Sequence, residues 1–187
     1  MQRCGWVTQD PLYICYHDKE WGIPQTDGKK LFEMLCLEGQ QAGLSWITVL
    51  KKREHYRRCF HRFDPQTVAL MQQAEVEKLL LDASIIRHRG KLDAIITNAK
   101  AYLAMEARGE NFAHFVWSFV QNTPQVNQFT SLSDIPVATS ASEALSKALK
   151  KRGFKFVGPT ICYSFMQACG LVNDHLTTCF CHPNSQA

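Results

Sequence analysis

The chain has 187 residues, 45% hydrophobic and 20% charged, a length and balance that suit one well-buried core and one domain over residues 1–187. Collagen, simple disorder and a multi-domain chain fit those numbers poorly. Twenty-one Lys and Arg against 17 Asp and Glu leave a net charge of +4, which favours an anionic partner without requiring one.

The start Met1-Gln2-Arg3-Cys4-Gly5-Trp6 lacks the apolar centre of a secretory signal, and no long apolar run follows, so a cytoplasmic protein with no membrane association is expected. Residues 1–26 show few helical signals yet concentrate Trp6, Tyr13, Tyr16 and Trp21, and are expected to form a largely irregular arm docked on the body. From Lys29, the residues Leu31, Met34 and Leu35 step at helical spacing. Asp27 is placed to cap that helix and Gly39 or Gly43 to end it, and Ser45 to cap a second helix carrying Trp46, Val49 and Leu50. Asp64-Pro65 reads as an N-cap followed by proline at the first helical position, and residues 75–82 predict a short helix through Val76, Leu79 and Leu80.

Residues 89–108 predict the longest helix, because Leu92, Ile95, Ile96, Ala99, Tyr102 and Leu103 form one apolar stripe that Gly109 can stop. After residues 112–120, the polar stretch 122–139 with Pro124 and Pro136 reads as a connecting loop. Ser140 with Glu143 forms a capping box that opens a helix through Leu145 and Leu149, ended by Gly153. Phe154 to Gly158 turn the chain and Pro159 starts the next helix, closed by Gly170, so residues 141–170 read as helix, tight glycine hairpin, helix. No repeat and no convincing alternating strand occurs, which makes the fold class all-α.

Charge is unevenly spread. Residues 51–62 carry Lys51, Lys52, Arg53, Arg57, Arg58 and Arg62 against Glu54, a pattern that an ordinary solvated face also explains. Lys147, Lys150, Lys151, Arg152 and Lys155 crowd the hairpin with no acid among them. There Gly158 lets backbone N–H groups approach a phosphate, the following helix turns its positive end the same way, and Lys155 adds charge, a geometry that grips a nucleic-acid backbone without reading sequence.

Eight cysteines in a chain of this length point to metal binding before a disulfide framework. His175 and Cys179 are four apart and share a face if helical, and Cys4 with His17 can supply the other half of a tetrahedral zinc site. Cys15, Cys181 and His182 are rivals, and idle buried thiols are an equal alternative. A site joining residue 4 to residue 179 clips the two chain ends, 1–26 and 173–182, and its four ligands make it structural. Glu38 follows Leu31, Met34 and Leu35 on the face that should be buried, and Gly39, Gly43 and Trp46 follow it closely. A helix-end glutamate reaching solvent is the bland reading. A pocket with aromatic walls and one carboxylate is the sharper one, suited to a flat cationic ring.

With Arg3-Cys4-Gly5-Trp6, Asp10-Pro11-Leu12-Tyr13, Tyr16-His17-Asp18, Glu20-Trp21-Gly22, the run from Leu37 to Lys52, Ile86-Arg87-His88-Arg89-Gly90-Lys91, Phe154-Lys155-Phe156-Val157-Gly158 and Asn173-Asp174-His175, the sequence resembles, end to end, the bacterial 3-methyladenine DNA glycosylase I family of the helix-hairpin-helix superfamily. The resemblance implies a monofunctional hydrolase, acting as a monomer, that flips 3-methyladenine out of alkylated double-stranded DNA and releases it as the free base. It implies one structural zinc ion on Cys4, His17, His175 and Cys179, Glu38 as the catalytic carboxylate, and Tyr13, Tyr16, Trp21, Trp46 and Trp6 around the base. DNA contacts fall to Lys155 and Gly158 at the hairpin and to Gly43 and Leu44, which with Gln41 are candidates to plug the gap in the duplex. Two departures stand out: Phe156 replaces the first hairpin glycine of the superfamily, and Asp174 comes too early to be its usual catalytic aspartate. A non-enzymatic, zinc-clipped DNA-binding module is the competing reading.

Overall fold

The computed structural model describes residues 2–185, among which nine α-helices and one two-residue parallel ladder are found. The chain order is α1 (Pro11–Lys19), α2 (Gly28–Gln40), α3 (Trp46–Cys59), α4 (Pro65–Ala69), α5 (Gln73–Leu79), α6 (Arg89–Ala107), α7 (Phe112–Ser118), β1 (Gln125–Val126), α8 (Ser140–Lys151), α9 (Pro159–Ala168) and β2 (Val172–Asn173). No helix among the described residues is long and apolar enough to cross a membrane.

The centre of the molecule is α2, whose last six residues are all buried and which packs against α3, α6, α7 and α9. Its start is fixed by Asp27, whose carboxylate accepts from the Lys30 N–H at 2.9 Å. Asp64 caps α4 in the same way through Thr67 N–H, with Pro65 in the first turn. Ser45 stands at the N-cap of α3 without capping it, because its hydroxyl bonds Thr48 Oγ1 instead. The box at the start of α8 lies one residue earlier than expected: Thr139 Oγ1 accepts from Ser142 N–H, and Ser142 Oγ accepts from Thr139 N–H.

The N-terminal arm is the main correction. Residues 11–19 are helical, because Asp10 accepts from Leu12 N–H at 3.0 Å and Pro11 pre-sets the first turn, the same signal that opens α4. Ion pairs hold α1 to α3, Lys51 to Asp10 at 2.7 Å and Arg53 to Glu20 through two bonds of 2.6 and 2.9 Å. The segment 122–139 is a loop, as expected, but its start pairs in parallel with the chain after α9, Gln125 opposite Val172 and Val126 opposite Asn173.

After α9 the chain turns at Gly170, φ +67°, directly against residues 22–25, which donate backbone hydrogen bonds to Gln167 and Cys169. A Cβ at Gly170 would lie 2.3 Å from the Ile23 carbonyl carbon and 2.4 Å from Pro24 N. Gly170→Ala therefore combines a left-handed backbone costing about 1–2 kcal/mol with an overpacked contact costing about 1–3 kcal/mol more. Gly109 has φ +77° with nothing within 4 Å of a Cβ, so Gly109→Ala is expected to show only the first cost. Urea unfolding of the two variants measures the difference, and equal midpoints would contradict the close approach.

Candidate active site

Along α1, Tyr13, Tyr16 and His17 fall at spacings of three and four and so share one side of the helix. Trp6 packs over that side, its ring centroid 5.0 Å from Tyr13, 5.1 Å from His17 and 5.1 Å from Trp21. Tyr16 is buried against Trp46 at the start of α3, centroids 5.5 Å apart and tilted by 45°. Glu38, two residues before the end of α2, is 2% exposed.

Trp6, Tyr13, Tyr16, Trp21, Glu38 and Trp46 line one cavity of about 350 Å³, closed by Gln41, by Thr160, Tyr163, Ser164 and Gln167 of α9, and by Leu132, Ile135, Pro136 and Val137 of the loop. Two polar atoms in it are buried without a hydrogen-bond partner, Glu38 Oε2 and Trp46 Nε1. Burial pushes the Glu38 carboxyl up to about 8. Burial, with Glu38 next in effect, also raises Tyr13, and raises Tyr16 far above the ordinary tyrosine range, so both phenols stay neutral near pH 7. A larger cleft of about 470 Å³ lies at the other end of α2, where Arg53 and Arg57 are already paired with Glu20 and Glu33. It lacks the aromatic walls.

Glu38 is the only acid among the described residues lining the aromatic cavity, and no lysine lines it. Asp174 is fully buried and saturated, accepting from Tyr163 OH at 2.6 Å, Asn127 Nδ2 at 2.7 Å and Gln167 Nε2 at 2.8 Å. It braces two cavity-lining side chains from behind.

Beside the cavity, one donor atom from each of Cys4, His17, His175 and Cys179 lies within 4.8 Å of the others, all four residues buried. Cys179 Sγ is 3.5 Å from His17 Nε2 and 3.6 Å from His175 Nδ1, and Cys4 Sγ is 3.6 Å from the same His175 nitrogen. A tetrahedral ion with bonds of about 2.3 Å to sulfur and about 2.0–2.1 Å to nitrogen sets sulfur and nitrogen about 3.5 Å apart. Both imidazoles are oriented for this, since the remaining nitrogen of His17 meets Asp18 Oδ1 at 2.7 Å and that of His175 meets the Trp21 carbonyl at 3.0 Å. Leu176 N–H and Cys181 N–H each point at a thiol sulfur from 3.5 Å. Of the rivals, Cys15 is exposed and His182 is bonded to the Asn127 carbonyl, while Cys181 joins only a lesser group with His17 and Asp18.

At the hairpin between α8 and α9, Phe156 adopts φ +53°, so it keeps the left-handed backbone of a glycine with a side chain attached. Asn98 straps the turn, accepting from Lys155 N–H at 2.7 Å and donating to its carbonyl at 3.1 Å, and Ser146 Oγ donates to the Val157 carbonyl. Gly39 makes room for it: a Cβ there would be 3.2 Å from Phe156 Cβ. Gly158 is the N-cap of α9 with φ −65°, and a Cβ on it would meet nothing within 4 Å, so its face is open. Lys155 is exposed, whereas Arg152 is taken up by Glu110 at 2.6 Å. In the basic stretch of α3, Lys51, Arg53 and Arg57 are likewise paired with Asp10, Glu20, and Glu33 and Glu54. That stretch is a salt-bridged seam.

Sequence reasoning missed the α9 wall and the loop. Thr160, Tyr163, Ser164 and Gln167 repeat at helical spacing as a polar stripe on an otherwise apolar helix, a readable signal. Leu132 to Val137 carry no such pattern.

The methyladenine glycosylase family model matches residues 6–182. The chain is 73% identical over 186 residues, the whole of both chains, to DNA-3-methyladenine glycosylase 1 of Escherichia coli K12. A crystal structure of a 3-methyladenine DNA glycosylase I superposes with a TM-score of 0.96 at 72% identity, covering 97% of this chain and all of the other. The Staphylococcus aureus enzyme, in a structure concerned with 3-methyladenine recognition, superposes with a TM-score of 0.94 at 43% identity over 98% and 97% of the two chains.

Because the folded Glu38 carboxyl holds its proton up to about 8, while an unfolded glutamate releases its proton at about 4.3, stability is lost as pH rises between those values. Glu38→Gln is expected to leave stability unchanged near pH 4 and to raise it increasingly toward pH 8, by on the order of a few kcal/mol. Urea midpoints across pH check this. A variant no more stable at high pH would show that the carboxyl is not buried without a partner.

Proposed function

The chain belongs to the methyladenine glycosylase family, and on that premise we propose that it hydrolyses the N-glycosidic bond of 3-methyladenine in alkylated double-stranded DNA. The observation that carries this reading is the unpartnered Glu38 carboxyl inside an aromatic cavity of about 350 Å³. A cavity of that volume is in the range of small-molecule sites. An idle relic would be filled by packing or would satisfy its carboxyl, which weighs against the non-enzymatic module.

Methylation at the adenine 3-position makes the base cationic and already activates its bond to deoxyribose. Extruding the nucleotide costs a few kcal/mol, least where the pair is weakened. In the cavity the ring stacks among Trp46, Tyr16, Tyr13 and Trp6, with Trp21 behind. Stacking is worth about 1–3 kcal/mol per base. The positive ring favours the ionised form of Glu38, whose proton passes to solvent as the nucleotide enters, and the resulting carboxylate takes a charge-assisted hydrogen bond from the exocyclic amine. Normal bases carry no such charge and leave Glu38 neutral and unrewarded. As the bond breaks, its electron pair returns to the ring and the released base is neutral, while water adds to the sugar cation, which the DNA phosphates stabilise, and gives up one proton to solvent. Among the described residues no lysine lines the cavity to attack the sugar, in keeping with a monofunctional enzyme that leaves the strand intact. Lys155 and Gly158 hold the phosphate backbone at the hairpin, while Gly43 and Leu44 face the gap in the stack.

Cys4, His17, His175 and Cys179 would hold one zinc ion, which when bound ties the two chain ends together with no open coordination position. The protein works as a cytoplasmic monomer on this reading.

Incubation with methylated duplex is expected to release free 3-methyladenine without strand cleavage, and no release would refute the proposal. Trp46→Ala is expected to lower kcat/KM by about 5- to 150-fold, the worth of one stacking surface. Glu38→Gln should keep the fold and lose about 10- to 100-fold in discrimination between methylated and unmodified adenine. Elemental analysis of protein purified without added metal is expected to give about one zinc per chain, reduced in Cys179→Ala together with the melting temperature. A metal-free protein of unchanged stability would leave four idle side chains.

A further inference from the structure

The segment 86–91 belongs to none of the roles above, yet it carries the one lysine that is buried among the described residues. Lys91, in the first turn of α6, is 6% exposed. Its ammonium donates to the Gln40 carbonyl at 2.9 Å and to the Ala42 carbonyl at 2.6 Å. No acid pairs with it among the described residues, and burial lowers its pKa. A buried ammonium is costly unless something compensates it. Here the compensation is the negative end of α2, whose Gln40 carbonyl it caps, with the Ala42 carbonyl of the following turn.

The contact is reciprocal. Gln40 Nε2 donates back to the Lys91 carbonyl at 2.9 Å, Gln40 Oε1 accepts from Tyr56 OH at 3.1 Å, and that phenol oxygen accepts from Ile86 N–H at 3.1 Å. Beyond this lock the chain makes a tight turn, Leu44 N–H to the Gln41 carbonyl, with Gly43 at φ +75° and Leu44 42% exposed at its tip. Glu38 lies one helical turn before it, joined by the Gln41 N–H to the Glu38 carbonyl. The ammonium thus grips the backbone between the cavity carboxylate and the exposed tip.

We propose that Lys91 is a positioning residue for duplex DNA, setting the turn at residues 41–44 at the height and angle needed to enter the stack while Glu38 meets the extruded base. The inference rests on the glycosylase reading. A misplaced turn costs the enzyme where a gap must be filled and leaves the aromatic walls and Glu38 in place, touching the cavity only at Gln41 on its edge.

The test compares Lys91→Met, similar in length and uncharged, with the wild type on three readouts. Excision of 3-methyladenine from fully paired duplex is expected to fall at least about tenfold in kcat/KM. Affinity for free 3-methyladenine should stay within about twofold. The loss should shrink when the lesion faces an abasic site, where extrusion is cheap. Lys91→Gln, which keeps an N–H donor, should recover part of the duplex activity, and it carries the same comparison if Lys91→Met does not fold. Equal losses in free-base affinity and excision, an equal loss opposite an abasic site, or no loss at all would overturn the assignment. Release of base by neither wild type nor variant would overturn the glycosylase reading and this inference with it, whereas normal wild-type release with an unaltered variant would overturn this inference alone.

Discussion

A carboxyl group sealed among indoles and phenols with no donor of its own is the constraint on which the rest of this structure depends. Glu38 Oε2 has no hydrogen-bond partner among the described residues, and its surroundings favour the neutral acid until something positive arrives. An unmet polar atom of this kind lowers stability, and it persists because the surrounding packing over-determines the position of α2. On the proposed reading, selectivity follows from the same physics. A neutral ring offers the dry carboxyl little reason to ionise, while a ring already carrying positive charge supplies its counter-ion.

The other elements are arranged around that group. One wall comes from α1 and is held by ion pairs to α3 at Asp10 and Glu20, and another comes from α9, braced through Asp174. The Cys and His cluster lies directly behind Trp21, whose carbonyl accepts from His175 and whose ring packs edge-on against it at 4.7 Å. An ion held by that cluster would therefore fix the aromatic wall together with the chain ends. The hairpin reaches the same helix from the far side, because Gly39, next to Glu38, lets Phe156 approach. Strain is accepted at that point, since Phe156 holds a left-handed backbone against the intrinsic preference of its side chain.

Much of this was legible in the order of residues. Glu38 falls on the buried stripe of α2, and the capping signals at Asp27, Asp64, Gly153 and Pro159 mark real boundaries because they act locally. The helix of residues 11–19 was obscured by its dense aromatics and weak amphipathic pattern, though Asp10-Pro11 carries the same local signal as Asp64-Pro65. Features that depend on partners distant in sequence could not be read. The charges of residues 51–62 look like a basic face until the acids at 10, 20 and 33 are folded against them. Pairing of Gln125 with Val172 joins two segments of two residues each, too short for any alternation to show. The loop residues Leu132 to Val137 reach the cavity only because that pairing and the end of α9 carry them there.

The most direct measurement of the central claim is the titration of the Glu38 side-chain carboxyl by carbon-13 NMR, with and without a methylated, permanently cationic adenine analogue. The account predicts a midpoint raised well above the ordinary glutamate value, to about 8, in the free protein and a clear fall once the cation is seated. A free-protein midpoint at the ordinary glutamate value, or one that the cation leaves unmoved, would contradict it.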